Sequence, residues 1–297
     1  MADRPAGAGP ETAPTLSVVL ATLNERASLP ELFARLRSAP LPPWEAIVAD
    51  DGSTDGSREL LQALAASDPR VRLMFHDGRQ TTLAAQCRAI EASRGRFVAV
   101  MDADLQHPPE LLADFVRALE EGASLVIASR YVAGGSPGRR PPLRAVISRG
   151  AEWSAKLLLP PARRVSDPVS GYFAFRRDRF VPVDRRYRGY KLLLFLLVMC
   201  RDLDVRDVPF RFEPRARGTS KVTSGFAFVR VFLIELILAR RLLRHPRSLS
   251  AALATVAGPG PTTGSDSSAG HRAATAMGEA RSPPDEADGL ETGVRET

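Results

Sequence analysis

Short apolar runs alternate with longer amphipathic stretches along the first 130 residues of the chain. The apolar runs predict five strands, at residues 16–20, 45–49, 71–75, 97–101 and 125–128. Between the first two runs, apolar side chains recur with helical spacing at Leu29, Leu32, Phe33 and Leu36. Three more helices are predicted at 55–64, 81–93 and 108–121. This alternation predicts an α/β fold with a mainly parallel sheet flanked by helices.

The pattern becomes less regular after residue 130. Helices are predicted at 143–159, 192–200 and 226–243, and short strands at 172–175 and 205–210. The stretch 226–243 would be about 27 Å long as a helix, at about 1.5 Å per residue. It contains Arg230, Glu235, Arg240 and Arg241, and charges at the centre of a bilayer cost about 2.5 kcal/mol or more each. Two interpretations therefore stay open, a helix in a membrane interface with its arginines at anionic headgroups and a helix buried in the core.

Composition divides the chain into four regions. Residues 1–14 and 247–297 are rich in small and polar residues, and we expect both segments to be disordered. Residues 15–222 form the predicted folded domain, and residues 223–246 form the predicted amphipathic membrane-interface helix. The two cysteines suggest neither a disulfide framework nor a zinc site. The first residues lack the basic and apolar segments of a signal peptide, which indicates a cytoplasmic protein.

The net charge of +7 is unevenly distributed along the 297 residues. The segment from Arg247 onward carries a net charge of −3, which leaves +10 on the residues before it. Such a surface favours anionic partners, among them phosphate groups and lipid headgroups. Nucleic acid is the weaker hypothesis because the sequence has no zinc finger, RNA-binding signature or interleaving of aromatic and basic residues.

Polar and acidic residues follow four of the predicted strands. These segments are Thr22–Glu25, Asp50–Gly56, Asp102–Gln106 and Ser129–Tyr131. Any one of them could be an ordinary turn, but all four follow strands whose carboxyl ends should meet at one ligand-binding edge of a parallel sheet. In the third segment two carboxylates lie one residue apart and an amide follows. Such hard oxygen ligands suit Mg²⁺ or Mn²⁺ bound together with a substrate diphosphate.

With these motifs the chain resembles the inverting family-2 glycosyltransferases of the GT-A (Rossmann-like) fold, close to the dolichol-phosphate and polyprenol-phosphate mannose synthases. The resemblance covers roughly residues 15–245. Besides the four strand-end segments it rests on His107–Pro108, Ser166–Gly171, Arg215 and Gly218–Lys221. It implies a GT-A catalytic domain over 15–222 and a metal-dependent enzyme.

The resemblance also implies roles for individual residues. The donor nucleotide sugar would contact Ala21, Leu23, Glu25, Ala49, Asp51, Asp102, Ala103, Asp104, Arg130, Arg215 and Lys221. The divalent metal would be held by Asp102, Asp104 and Gln106. The acceptor phosphate would be held by Arg130, Arg144 and Ser148, and the residues closest to the chemistry would be Asp104, Arg130 and Arg144.

A lipid phosphate is already anionic near neutral pH, so as a nucleophile it needs positioning more than deprotonation. No strong general base is therefore required. His107 could be a catalytic residue or simply a structural residue of its loop, and Asp167 could be a base, a residue that shapes the acceptor loop, or a cap of the turn before Gly171. These alternatives remain open at this point.

Two departures from the family pattern bear on the substrates. Ala21 and Leu23 stand where the family usually has proline and tyrosine, which leaves the selectivity for the nucleotide base undetermined. The Gln-x-x-Arg-Trp signature of processive polysaccharide synthases is absent from the sequence, which favours the transfer of a single sugar.

Three functions are therefore compared. The favoured one is transfer of mannose from GDP-mannose to a polyprenyl phosphate, with inversion, by a peripheral or monotopic protein on the cytoplasmic face of a membrane. The first alternative is a glucose or other sugar taken from a UDP-sugar. The second is a non-catalytic membrane-associated binding subunit, which is disfavoured because Asp102, Asp104 and Gln106 are all present.

Overall fold

The computed structural model describes residues 13–75, 82–138, 142–181, 191–200, 202–212 and 225–244. Apart from Ala13 and Pro14, the segments 1–14 and 247–297 that we expected to be disordered lie outside these residues. Seven strands are found in the described part: β1 (Leu16–Thr22), β2 (Trp44–Asp50), β3 (Val71–Phe75), β4 (Phe97–Asp102), β5 (Leu125–Ser129), β6 (Phe173–Arg176) and β7 (Val205–Pro209). Its α-helices are α1 (Leu29–Ser38), α2 (Ser57–Ser67), α3 (Thr82–Glu91), α4 (Leu112–Glu120), α5 (Pro142–Leu158), α6 (Leu192–Met199) and α7 (Gly225–Arg244).

The strands form one mixed sheet in the order β3-β2-β1-β4-β6-β5-β7. Strand β6 runs antiparallel to its neighbours β4 and β5, and every other pairing in the sheet is parallel. The predicted mainly parallel sheet flanked by helices is therefore confirmed. The position of β6 between β4 and β5 adds an antiparallel strand at the centre of the sheet.

The central strands are buried because helices cover both faces of the sheet. Successive side chains of a strand point to opposite faces, so Val18 and Leu20 of β1 pack in one cluster with α1 and α4. Val19 packs in a second cluster, with α3 and α6. Burial on both faces explains why these strands are continuous apolar runs in the sequence rather than alternating ones.

A third apolar cluster joins α5, α6 and α7. It includes Ala155 of α5, Leu194 of α6, and Phe232 and Leu236 of α7. Helix α7 also carries exposed apolar side chains at Leu233, Ile234 and Ile237. One face of α7 therefore closes a core, and another face is open to solvent. No helix in the described part of the chain has the length and apolar character needed to cross a membrane.

Candidate active site

The carboxyl ends of β2, β1 and β4 lie side by side at one edge of the sheet. In the strand register, Ala49 of β2 is opposite Ala21 of β1, and Ala21 is opposite Asp102 of β4. Three residues of the predicted donor site thus form a row across three adjacent strands. Ala49 is buried, Ala21 is half-buried and Asp102 is exposed, so the row opens toward solvent at Asp102.

Two loops at this edge are joined by hydrogen bonds. The backbone N–H of Asn24 donates to Oγ of Ser53 at 2.8 Å, and the Asn24 side-chain oxygen accepts from the Thr54 backbone at 2.7 Å. The backbone N–H of Glu25 donates to Oγ of Ser57 at 3.0 Å. Asn24 adopts a left-handed φ of 52° to make these contacts. The loop after β1 and the loop after β2 therefore form one connected wall that carries Glu25.

Asp50 and Asp51 have different surroundings although they are adjacent. The buried Asp50 carboxylate accepts from the backbone N–H of Gly52 at 3.2 Å, the backbone N–H of Ser53 at 3.0 Å and Nε of Arg58 at 3.0 Å. Burial raises the pKa of Asp50, but hydrogen bonds from Ser53 and Arg58 bring it below its ordinary value. Asp50 is thus the charged centre of the turn, while half-buried Asp51 remains at the edge where the donor site was predicted.

The acidic segment 102–106 forms a tight loop directly after β4. Leu105 has a left-handed φ of 64°, which is uncommon for a branched residue. Oδ1 of buried Asp104 accepts from the backbone N–H of Gln106 at 3.1 Å. Asp102 and Asp104 are therefore fixed at the two ends of one short turn, with Asp102 on the solvent side.

The residues of this loop fit a hard divalent cation. Asp102, Asp104 and Gln106 offer oxygen ligands, the type that Mg²⁺ and Mn²⁺ prefer. Within the described ranges no three acidic, histidine or cysteine side chains come together as a metal site. Two carboxylates and one amide suit an open site, in which substrate phosphates and water complete the coordination.

His107 supports the loop from beneath. Its ring is buried and lies 4.9 Å from the Tyr172 ring in a stacked arrangement, and its Nδ1 accepts from the backbone N–H of Asp102 at 2.9 Å. Burial lowers the pKa of His107, against the opposing charges of Asp102 and Asp104. The ring is therefore neutral near pH 7, and with Nδ1 as acceptor its proton is on Nε2. The structure favours the structural role for His107.

Arg130 and Asp167 form a buried ion pair that the sequence analysis did not foresee. Nε and Nη2 of Arg130 donate to the two carboxylate oxygens of Asp167 at 2.6 and 2.8 Å. The Asp167 side chain is fully buried, and that of Arg130 is 10% exposed. Burial lowers the pKa of Arg130, but the bond to Asp167 raises it above its ordinary value, so the guanidinium stays charged.

This pairing corrects the suggestion that Asp167 acts as a general base. Both of its oxygens are engaged by Arg130, and the side chain has no exposed surface from which to accept a substrate proton. Its side chain is also not the cap of the turn before Gly171, since the Asp167 atom that accepts from Ser170 is the backbone oxygen. Asp167 instead shapes the loop before β6 and orients Arg130.

Helix α5 is joined to this ion pair through Tyr131. The guanidinium carbons of Arg130 and Arg149 lie 5.3 and 4.4 Å from the centre of the Tyr131 ring. Half-buried Ser148 precedes Arg149 on the helix, and Arg144 is in its first turn. The predicted acceptor residues Ser148 and Arg144 are thus on a helix that contacts the strand end carrying Arg130.

Lys191 is a charged residue near the site that the sequence analysis missed. Its Nζ donates to the carbonyl oxygen of Val169 at 3.3 Å, in the same loop as Asp167. Burial lowers the pKa of Lys191, and the charges of Asp102, Glu235, Arg130 and Asp167 all act on it. Its residue type could have singled it out in the sequence. Only three of the 41 basic residues are lysines, at positions 156, 191 and 221.

Some predicted site residues lie outside what the structure describes. These are Arg215, Lys221 and the side chain of Arg144. The other predicted site residues are described: Ala21, Leu23, Glu25, Ala49, Asp51, Asp102, Ala103, Asp104, Gln106 and Arg130 at the ends of strands or in the loops after them, and Ser148 on α5. A Cβ on Gly171 would lie 3.6 Å from Oδ2 of Asp102 and from Cε1 of His107, so the loop that holds Asp167, the partner of Arg130, adjoins the acidic loop.

Residues 17–181 match the model of the family described as Glycosyl transferase family 2. The chain is 34% identical over 242 residues to the dolichol-phosphate mannosyltransferase of Mycosarcoma maydis, covering 77% of this chain and 81% of that protein. It is 35% identical over 237 residues to the polyprenol monophosphomannose synthase of Mycolicibacterium smegmatis, covering 75% and 88%. With the dolichol-phosphate mannosyltransferase of Pyrococcus furiosus the identity is 38%, and the match covers 72% of this chain but only 60% of the archaeal protein.

Solved structures share the fold. The glucosyl-3-phosphoglycerate synthase of Mycobacterium tuberculosis, in complex with Mn²⁺ and uridine-diphosphate-glucose, aligns with a TM-score of 0.58 at 23% identity. The alignment covers 76% of this chain and 79% of that chain. A complex of the same synthase with Mn²⁺, UDP and glucosyl-3-phosphoglycerate gives a TM-score of 0.56 at 24% identity.

Proposed function

Because the chain belongs to glycosyl transferase family 2 and is a glycosyltransferase, we propose that it transfers one mannose from GDP-mannose to a polyprenyl phosphate, with inversion. The names of the matched relatives support this donor sugar and this acceptor class. The observation that carries the proposal is the position of the acidic loop beside the 166–171 loop: a Cβ on Gly171 would lie 3.6 Å from Oδ2 of Asp102, and Asp167 of the same loop pairs with Arg130. Acidic side chains that can hold a metal and a basic side chain that can hold a phosphate then lie next to each other. Transfer between two phosphate-bearing substrates requires both.

The donor would lie along the row formed by Ala49, Ala21 and Asp102. Glu25 and Asp51 would hold the nucleoside, and Ala103 would line the ribose and diphosphate. Leu23, which is half-buried in the loop after β1, would contact the base from the side. From outside the described residues, Arg215 and Lys221 would add fixed positive charge at the diphosphate.

Asp102, Asp104 and Gln106 would hold Mg²⁺ or Mn²⁺. A cation bound there neutralises the negative charge that grows on the leaving diphosphate. The loop supports this role because Asp102 is exposed to the incoming substrate while Asp104 is fixed by its bond from Gln106.

The acceptor phosphate would be held by Arg130, Arg144 and Ser148. Asp167 uses Nε and Nη2 of Arg130 and leaves Nη1 to face the phosphate. A guanidinium already oriented by a buried carboxylate loses little freedom when it binds, which favours the attacking geometry. The role of Arg130 is therefore to position the nucleophile and to offset its charge.

Helices α5 and α7 would meet the membrane that carries the lipid. All six exposed large apolar side chains among the described residues are on these two helices: Val146, Trp153, Leu157, Leu233, Ile234 and Ile237. The exposed arginines 149, 163 and 241 are on or beside the same helices, and they complement anionic headgroups. We place this surface on the cytoplasmic face of the membrane, where the protein would be peripheral or monotopic.

The proposal is tested with radiolabelled GDP-mannose, Mn²⁺ and a polyprenyl phosphate in detergent. The expected product is a lipid-soluble label that mild acid releases as mannose. If no nucleotide sugar gives a lipid-soluble label, the proposed activity is wrong.

A second candidate donor is UDP-glucose. It stays a candidate because the small Ala21 and the aliphatic Leu23 at the donor edge leave the selectivity for the nucleotide base undetermined. A thermal-shift panel of GDP-mannose, UDP-glucose and their free nucleotides, each with Mn²⁺, separates the two donors. A larger stabilisation by UDP and UDP-glucose would replace GDP-mannose with a UDP-sugar.

A further inference from the structure

A cavity of about 500 Å³ opens at the edge of the sheet opposite the candidate active site. It is lined by residues next to the starts of β1, β2, β3 and β4, among them Pro14, Trp44, Arg70 and Arg94. Strand β2 runs seven residues from Trp44 to Asp50. At about 3.3 Å per residue, the cavity is about 20 Å from the donor edge. It is therefore separate from the site proposed above.

The lining of this cavity is strongly basic. Four arginines, Arg37, Arg70, Arg72 and Arg94, line it together with one carboxylate, Glu45. A second carboxylate, Asp68, is buried behind two of the arginines. Both carboxylates have a pKa below the ordinary value, so both are ionised at neutral pH. The four arginines are then opposed by two negative charges, and two positive charges remain.

Asp68 holds two of the guanidinium groups in place. It accepts from Nε of Arg37 at 2.9 Å, and from Nε and Nη2 of Arg70, each at 2.9 Å. The guanidinium of Arg70 also lies 4.2 Å from the centre of the Trp44 ring. Arg70 is thus fixed by a bidentate bond and by an aromatic face, and such a group loses little side-chain entropy when an anion binds.

Glu45 holds the other side of the cavity. It accepts from Nη1 of Arg72 at 3.0 Å and from the backbone N–H of Arg94 at 2.7 Å. Nη1 of Arg72 also donates to the carbonyl oxygen of Ala92 at 2.8 Å. In the part of the chain that the structure describes, the Arg94 guanidinium forms no hydrogen bond or ion pair.

A structural role accounts for the ion pairs but not for the whole arrangement. The bonds from Asp68 join α1 to the start of β3, and those from Glu45 join β2 to β3 and to the segment before β4. Neither function needs Arg94, an excess of two positive charges, or an open cavity among them. Pro42, Pro43 and Pro69 add rigid apolar walls, and fixed charges placed among apolar walls are typical of a small-molecule site.

We propose that this cavity binds a small organic phosphate or polyphosphate that carries at least two negative charges. The donors are the guanidinium groups of Arg37, Arg70, Arg72 and Arg94, all of which line the cavity. The prolines and Leu41 contact the apolar part of the ligand. The ligand is held by guanidinium groups whose geometry matches phosphate oxygens.

The test is calorimetric titration of the full-length protein with tripolyphosphate at low ionic strength, without divalent metal. We expect Arg94→Gln to weaken binding about tenfold, as the loss of one charge-assisted contact predicts. Arg37→Gln should also weaken binding, although it removes a structural ion pair as well. A melting curve of each variant verifies that it is folded. Arg94 has no such partner among the described residues, so its variant keeps the test decisive if Arg37→Gln fails to fold.

Two control variants separate this cavity from other basic surfaces. Arg117→Gln removes the charge of an exposed side chain of α4 that does not line the cavity, and it should leave the affinity unchanged. Lys221→Gln removes a predicted donor-site charge, so weakening by this variant alone would show that the probe binds at the donor site. The proposal is wrong if the unmodified protein does not bind tripolyphosphate or if Arg94→Gln binds it as tightly as the unmodified protein. It is also wrong if Arg117→Gln weakens binding equally, or if only Lys221→Gln weakens it.

Discussion

At the scale of single residues, the candidate site depends on buried polar groups that are hydrogen-bonded. Asp50 organises the turn after β2, His107 supports the acidic loop and Asp167 orients Arg130. Each of these residues is buried and adjoins a more exposed residue that faces the proposed substrates. The proposed substrate contacts of Asp51, Asp102 and Arg130 thus depend on the buried residues behind them.

The buried ion pair between Arg130 and Asp167 predicts a large stability effect. Replacing Asp167 with alanine leaves a charged guanidinium in a site that excludes water, which costs about 3 kcal/mol or more. Urea denaturation of the two proteins measures the difference. The control is Asp114→Ala, whose exposed pair with Arg117 should contribute less than about 1 kcal/mol. Equal losses in the two variants would contradict the importance of burial.

Asp104→Asn tests the metal loop with almost no change in shape. If Asp104 ligates the cation, the variant should lose about 10² or more in turnover, because one ligand supplies several kcal/mol in the transition state. Sugar transfer to polyprenyl phosphate is measured at saturating Mn²⁺. Asp114→Asn, on the exposed side of α4, is the matched control and should keep full activity. Turnover within threefold of the unmodified enzyme would remove Asp104 from the metal site.

At the scale of elements, α5 and α7 each have two apolar faces with different partners. Ala155, Phe232 and Leu236 pack in the core between the helices. Val146, Trp153 and Leu157 of α5 are 69%, 72% and 70% exposed, and their spacing of seven and four residues places them on one side of the helix. Helix α5 therefore contributes as much to the proposed membrane surface as α7, the helix to which the sequence analysis assigned the anchor.

Trp153 is the best single test of that surface. Trp153→Ser should weaken binding to vesicles of mixed anionic and neutral lipids by about tenfold or more, since burial of a large apolar side chain is worth about 1.5–3 kcal/mol. Trp153→Phe retains an aromatic ring and should restore most of the binding. Vesicle sedimentation measures both variants. If Trp153→Ser binds as tightly as the unmodified protein, α5 does not contact the bilayer.

At the scale of the whole molecule, buried carboxylates are found at both edges of the sheet. Asp50 is at the donor edge, and Glu45 and Asp68 are at the opposite edge. For Asp50 and Glu45, burial raises the pKa, but hydrogen bonds lower it by more than burial raises it. For Asp68, the hydrogen bonds from Arg70 are the main cause of the lowered pKa. All three groups are therefore more acidic in the folded protein than in the unfolded chain.

This difference gives the pH dependence of stability a definite sign. A carboxylate with a depressed folded pKa stabilises the fold above its unfolded pKa of about 4, and that stabilisation is lost as the pH falls through the folded value. The free energy of unfolding should therefore fall between about pH 5 and pH 3. In Asp68→Asn the fall should be smaller, and stability at pH 7 lower. Urea denaturation at pH 7, 5 and 3.5 measures both, and identical slopes would contradict the assignment to Asp68.

The sequence by itself determined the features that are local in the chain. Strand and helix periodicity depends on residues a few positions apart, so the elements from β1 to β5 were predicted with shifts of a few residues at their ends. The acidic loop after β4 was found in the same way, because the end of an apolar run and the carboxylates that follow it are adjacent. The strand-end rule then grouped the predicted site residues at one edge of the sheet.

The tertiary structure alone decided what depends on distant segments. The insertion of β6 between β4 and β5 brings Asp167 to Arg130, although 37 residues separate them. Lys191 reaches Val169 across 22 residues, and Arg94 reaches Glu45 across 49. No local pattern encodes these contacts, because they depend on the order in which strands pair. The Arg130–Asp167 pair and the basic cavity are therefore visible only in the folded chain.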